Sequence, residues 1–148
     1  PVQSELLKSG TLILGADQVA EWGFPTFDGW VVNREFGQAH KAEVVAFLKE
    51  IDKANASYLS NPAAWTADSA EVKTLASGTG ADAAQVPGIL EGFGFLPMAT
   101  QITDTWLGGA AKTIKGTADF LKEAGRIDSV GDDYAGFVYP EFAAEAAK

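Results

Sequence analysis

The sequence predicts a helix-rich α/β chain with few strands, and three observations carry that prediction. Between residues 39 and 60, Val44, Phe47, Leu48, Ile51, Ala54, Tyr58 and Leu59 recur at three- and four-residue spacing, with charged residues between them. This is the pattern of a long helix with one buried face. Residues 11–14 are a short apolar run, and residues 27–32 follow Pro25 as an aromatic-rich segment; both read as strands. Gly and Pro, 16 and 6 of 148 residues, punctuate the chain at short intervals. Two strands among so many helices make a marginal sheet. Either the domain is mostly helical, or the partners of its strands lie on polypeptide outside the chain. Pro1 opens the chain inside a first helical turn, which favours the second.

Taken in order, residues 2–9 predict a helix ending at Gly10 in a left-handed cap. Residues 11–14 follow as a buried strand. Asp17 is the expected N-cap of a short helix through Trp22, with Gly23 as its stop. After residues 22–32 comes the long helix. Asn61-Pro62 then supplies an N-cap and first-turn pair for a short helix carrying Trp65. Ser69 or Asp68 caps the next helix, with Val72, Leu75 and Ala76 inward and Gly78 and Gly80 closing it. Asp82 and Pro87 mark two further helical turns ending near Gly92, and residues 93–97 form an extended link. A second long helix is expected over residues 105–124, with Leu107, Ala111, Ile114, Ala118 and Leu121 on its apolar side. Gly108, Gly109 and Gly116 weaken it, which points to close packing or a late start. Gly125 ends it. Residues 132–148 hold Tyr134, Phe137, Val138, Tyr139 and Phe142 before an alanine-rich tail. No internal repeat, low-complexity tract or linker interrupts the chain.

Composition excludes several functions. No apolar run approaches the roughly 18 to 20 residues of a membrane span. A formal charge of -9 opposes nucleic acid or an anionic membrane surface as partner. The absence of cysteine excludes disulfides, thiolate metal sites and cysteine nucleophiles. His40 is the single histidine, without the spacing of a zinc site, and reads as a surface or capping residue. Asp132-Asp133 and Glu141/Glu145 read as solvated faces. Neither nucleotide-binding glycine motif occurs, nor a nucleophile elbow, and Gly78 to Gly80 reads as turn chemistry. No catalytic residue, metal or cofactor is expected.

Chemistry concentrates in residues 22–32, Trp-Gly-Phe-Pro-Thr-Phe-Asp-Gly-Trp-Val-Val. Pro25 fixes its own φ and pushes Phe24 toward extended backbone. A strand over residues 27–32 places Thr26, Asp28, Trp30 and Val32 on one side, with Phe27, Gly29 and Val31 on the other. A carboxylate between a hydroxyl and an indole suits an ammonium group, which ring faces and a charged hydrogen bond both attract. The same pattern also describes an edge strand whose Asp28 faces solvent. Trp22 and Trp30 read equally as core or as ligand-facing rings.

The segment DQVAEWGFPTFDGWVVNREF from Asp17 to Phe36 resembles the taurine-binding proteins of bacterial ABC importers, within the group that binds alkanesulfonates, nitrate and thiamine precursors. The likeness continues through HKAEVVAFL, SYLSNPAAW, ADAAQVPGIL, TADFLKEAGRID and DDYAGFVYPEF. WG-x-PT-x-D-x-W is its most specific part. Lys41 stands where the family usually has proline after the histidine, and family members are considerably longer than this chain.

The resemblance implies the C-terminal half of a two-lobed type II periplasmic-binding-protein fold. Residues 1–26 would end the second lobe and make the return crossing. Residues 27–148 would supply the C-terminal part of the first lobe with its covering helices. Asp28 would lie at the cleft and pair with the ligand's ammonium, with Thr26 and Trp30 on the same face and Trp22 beside the crossing. The sulfonate would be held mainly by the N-terminal half, since a chain at -9 without a glycine-rich cradle supplies few donors. Implied partners are a small zwitterionic or anionic organosulfur ligand, the ABC permease subunits and that N-terminal half. The implied location is the periplasm, or a lipid-anchored extracytoplasmic site, with a role in sulfur acquisition. Alternatives are a binder of alkanesulfonate or another organosulfur or nitrogen solute, and an enzyme of the thiamine-pyrimidine synthase type. The latter relies on a sacrificial histidine and a cysteine-rich motif, against one histidine and no cysteine here. A helical interaction domain that merely looks like this family is a third reading.

Overall fold

The computed structural model describes residues 6–148, in two compact units. One comprises Ile51–Pro97 with the described residues through Thr11; the other comprises Leu12–Glu50 and Met98–Lys148. The described residues form α1 (Ala16–Glu21), α2 (Arg34–Ala39), α3 (Lys41–Ser60), α4 (Ala70–Thr79), α5 (Val86–Glu91), α6 (Met98–Gln101), α7 (Ala110–Glu123) and α8 (Pro140–Ala146). Short 3-10 turns occupy Pro62–Ala64, Leu107–Gly109 and Ala135–Phe137. None of these helices is long and apolar enough to cross a membrane.

Among the described residues there is no strand, which corrects the expectation at residues 11–14 and 27–32. The local cause is the lack of a neighbour. A strand is defined by the ladder it shares, and residues 26–32 make no backbone–backbone hydrogen bond to another described residue. The helix expected over residues 2–9 begins outside the described residues. Its described end closes with the Gly10 N–H on the Leu6 carbonyl at 2.8 Å, and Gly10 is not left-handed.

The first unit is built on caps. The Ser69 hydroxyl accepts from the Val72 N–H at 3.3 Å to start α4, and Gly80 ends it at φ 73. Val72 is wholly buried, facing inward as its position in α4 predicts. The Asp82 carboxylate accepts from the Ala84 N–H at 3.0 Å, and Pro87 occupies the first turn of α5. Val86 is buried where α4 and α5 meet. Tyr58, late in α3, meets Trp65 and Phe95 with ring centroids 5.3 and 5.0 Å apart, both edge-on. All three rings are packing residues of this unit.

The second unit has a small core. Val45, Met98, Phe142, Ala143 and Ala146 are buried together, and Val44, Leu48, Ile102, Leu107 and Tyr139 pack around them. The alanine-rich tail is therefore core: α8 lays its apolar side on α6. Gly37 is buried in α2, where a Cβ would stand 3.4 Å from the Phe142 ring and 3.3 Å from Val32. The long helix expected over residues 39–60 is α3, Lys41–Ser60, preceded by the separate short α2, which ends at Ala39 with His40 as its C-cap. Asp17 is not the cap of α1; Gly15 is, and Asp17 lies in the first turn, where its charge suits the helix dipole. α7 starts late because the chain doubles back before it. Methyls added at Gly108 or Gly109 would overlap the carbonyl groups of residues 102–104. Gly125 ends α7 at φ 66, with Gly125 N–H on Lys122 and Arg126 N–H on Leu121.

Lys41 and Glu145 join the start of α3 to α8 at 2.7 Å, both side chains about half exposed. The hydrogen bond and charge of each partner hold the Lys41 ammonium above, and the Glu145 carboxyl below, its ordinary range. The Glu145 contribution is present above the ordinary carboxylate range and is lost as pH falls through its depressed folded pKa. The Lys41 contribution is present below the ordinary lysine range and is lost as pH rises through its raised folded pKa. The melting-temperature difference between the protein and its Glu145→Gln variant should therefore be widest near neutrality and close at both extremes. A difference that persists in strong acid would contradict this. Urea denaturation of the intact protein should show Gly109→Ala destabilising by about 1–3 kcal/mol through overpacking. Gly116→Ala, in open space within α7, should stabilise by about 0.5–1 kcal/mol.

Candidate functional site

The candidate segment begins at a well-formed helix end. The Gly23 N–H donates to Ala20 at 2.9 Å and the Phe24 N–H to Val19 at 3.1 Å, with Gly23 at φ 88. These two bonds and the left-handed glycine make a Schellman motif, which satisfies the last carbonyls of α1 and turns the chain outward. Pro25 is buried directly behind it, which anchors the exit. The far end is fixed too. The Asn33 side chain accepts from the Phe36 N–H at 3.1 Å and so caps α2.

Between these anchors Thr26, Asp28 and Trp30 are exposed on backbone without regular secondary structure, with Trp22 exposed at the end of α1. One ring is fixed from below: Trp30 stands edge-on to Phe47 of α3, centroids 5.1 Å apart and planes at 89°. Phe47 was expected only as core, yet it is the support for a candidate site ring. No described contact joins Trp22, Thr26 and Asp28 to one another. Asp28 makes no hydrogen bond or ion pair with a described residue, so its carboxylate is available to a cation.

Arg34, at the start of α2, is committed elsewhere. Its guanidinium donates to the Tyr139 hydroxyl and to the Gly136 carbonyl, the latter at 2.6 Å. It is therefore a brace between α2 and the segment before α8, not a free donor for an anion. Nothing in the local sequence around Arg34 announces a bond to residues more than one hundred positions away. His40 sits between α2 and α3, stacked on Phe36 at 4.5 Å with Glu43 at 3.7 Å, in the capping role expected of it. Among the described residues no group of three His, Cys, Asp or Glu is placed to hold a metal. A cavity of about 280 Å³ in the first unit is lined by Tyr58, Pro62, Ala63, Trp65, Pro87 and Glu91. None of the candidate residues lines it.

Comparison with known proteins places the chain beside a periplasmic binding protein. The relative is the taurine-binding periplasmic protein of Escherichia coli (strain K12), to which the chain is 34% identical over 142 residues. The match takes in 96% of this chain and 44% of the relative, so the chain spans less than half the relative's length. This agrees with the resemblance read from residues 17–142. No family model matches the chain.

Replacing Arg34 by Lys keeps the charge but loses the fork that reaches two acceptors. Arg34→Lys should cost about 1–2 kcal/mol of stability, read by urea denaturation. An unchanged midpoint would show that the brace carries no stability.

Proposed function

We propose that this chain forms part of the solute-binding component of a bacterial ABC importer that takes up taurine. The observation that carries the reading is identity of 34% along nearly the whole chain to a taurine-binding periplasmic protein. The proposed architecture is a two-lobed type II binding protein. Residues 1–26 end one lobe and cross back, and residues 27–148 belong to the other. Ligand sits in the interlobe cleft, the protein works in the periplasm, and the loaded form delivers its ligand to the permease. The chemistry is binding, not catalysis.

Taurine carries an ammonium and a sulfonate on a two-carbon chain. In this reading the Asp28 carboxylate receives the ammonium, Trp30 offers a ring face held by Phe47, and Thr26 adds a hydroxyl on the same side. Trp22 walls the approach. The exposed, unpaired state of Asp28 supports this role, because a carboxylate already engaged in an ion pair gains less from a ligand cation. The sulfonate requires several N–H donors, and Arg34 is occupied, which supports a sulfonate held mainly by the N-terminal half of the protein.

A binder of alkanesulfonates would need no carboxylate at the amine position, so the two ligand classes separate at Asp28. A thermal-shift series on the intact protein with taurine, ethanesulfonate, sulfate and β-alanine should show by far the largest stabilisation with taurine and a weak one with ethanesulfonate. Asp28→Asn should then weaken taurine by roughly ten- to a hundredfold, as expected for one charge-assisted hydrogen bond. Ethanesulfonate binding should be nearly unchanged by the same substitution. Equal loss for both ligands by titration calorimetry would remove Asp28 from the amine site.

A further inference from the structure

We propose that the cavity of the first unit is a second binding site, for a small organic cation of the quaternary-ammonium class, separate from the site assigned to taurine. The inference rests on the residues that line this cavity and is independent of the ligand proposed above.

Local sequence builds the walls. Tyr58 lies in the last turn of α3, and its carbonyl accepts from the Asn61 N–H at 3.2 Å as the chain leaves the helix. Pro62 starts the 3-10 turn that follows. The Trp65 N–H donates to the Pro62 carbonyl at 3.0 Å, which closes that turn and sets Trp65 beside Tyr58. The two rings stand at 88° with centroids 5.3 Å apart, so they form a corner. Phe95 does not line the cavity but packs on Tyr58, centroids 5.0 Å apart, and steadies that ring. The remaining wall comes from α5, where Pro87 and Glu91 are four residues apart and share a face. All six lining residues, with Ala63 the sixth, lie within Ile51–Pro97. The cavity therefore belongs to one unit.

The lining selects the charge of its ligand. Tyr58, Trp65, two prolines and an alanine bring no charge, and Glu91 is the one charged residue among the six. Glu91 makes no hydrogen bond or ion pair with a described residue. An anion would meet this carboxylate uncompensated. A cation gains twice, from the rings, indole above all, and from the carboxylate. The chain's charge of -9 acts in the same direction. A hard metal ion is poorly served, because one carboxylate among rings supplies too few oxygen ligands.

Volume and chemistry narrow the class further. The cavity holds about 280 Å³, just below the roughly 300 Å³ at which pockets for drug-sized ligands begin. A trimethylammonium head with a short tail matches that scale. Such a head has no N–H to satisfy, and aromatic corners of this kind are what recognise it. Taurine is excluded by its sulfonate, which Glu91 repels.

Choline and its uncharged isostere, with carbon in place of the quaternary nitrogen, are the probes. They are titrated into the intact isotope-labelled protein, and the indole N–H resonance of Trp65, assigned through Trp65→Phe, is followed by NMR. Choline should shift this resonance saturably, whether or not excess taurine is present. The uncharged isostere should bind about tenfold more weakly. Glu91→Gln, at an exposed position, should weaken choline about threefold or more and leave taurine binding unchanged. Absence of a saturable shift at Trp65 would overturn the proposal, as would equal binding of the isostere or unchanged choline affinity in Glu91→Gln. Displacement of choline by taurine would also overturn it, since the cation would then occupy the taurine site.

Discussion

A phenyl ring seated on a helix that has no side chain beneath it is the contact on which the second unit depends. Phe142 comes down on Gly37 so closely that a methyl there would press on the ring at 3.4 Å. Burying such a ring contributes about 1.5–3 kcal/mol, and most of its neighbours in the core are small or slender residues. The consequences spread along the chain. α2 is fixed against α8, Arg34 on α2 reaches the Tyr139 hydroxyl and the Gly136 carbonyl, and Lys41 just beyond meets Glu145. Val32, at the end of the candidate segment, also lies against Gly37, 3.3 Å from where a methyl there would stand. Asp28 projects from a stretch whose two ends are fixed although its middle is open.

What was legible in the sequence is what is decided locally. Gly23, Gly80 and Gly125 were readable as helix stops because each takes a left-handed conformation that other residues avoid. Ser69 was readable because an N-cap is settled within three residues. The late start of α7 was legible for the same reason: two adjacent glycines mark a close backbone approach. The core of the second unit was not. Alanines give a faint periodic signal, so Ala143 and Ala146 read as tail, while Val45 hid beside a more obvious apolar stripe. The strands read from residues 11–14 and 27–32 had the right side-chain pattern, but a ladder needs a second backbone, and pattern alone does not supply one.

The candidate site was legible in part for a related reason. Composition singled out Asp28, Thr26, Trp30 and Trp22, and the structure leaves all four exposed. Sequence reasoning did not find the support. Trp30 is held by Phe47 across seventeen positions, and Phe47 belongs to a helical stripe that reads as core on any periodicity argument. Arg34, the nearest cation to Asp28 in the sequence, is engaged by acceptors on residues 136 and 139, which its local sequence does not announce. A residue's type announces the chemistry it can do; its partners decide whether it is free to do it.

The separation of charge sharpens the functional reading. A zwitterion two carbons long cannot place both ends on one carboxylate, and in the proposed reading the candidate segment of this chain, which carries -9 overall, takes the cationic end. In the proposed reading the anionic end is taken by donors on the other part of the protein. A ligand gripped at opposite ends by two parts binds fully only when both parts are close, so its affinity differs between open and closed states. That difference in affinity is what permits a ligand to drive closure. An alkanesulfonate would engage one end alone and give closure a smaller drive. In the proposed reading Asp28 bears on more than recognition of an amine: a carboxylate that selects taurine would also couple its binding to movement.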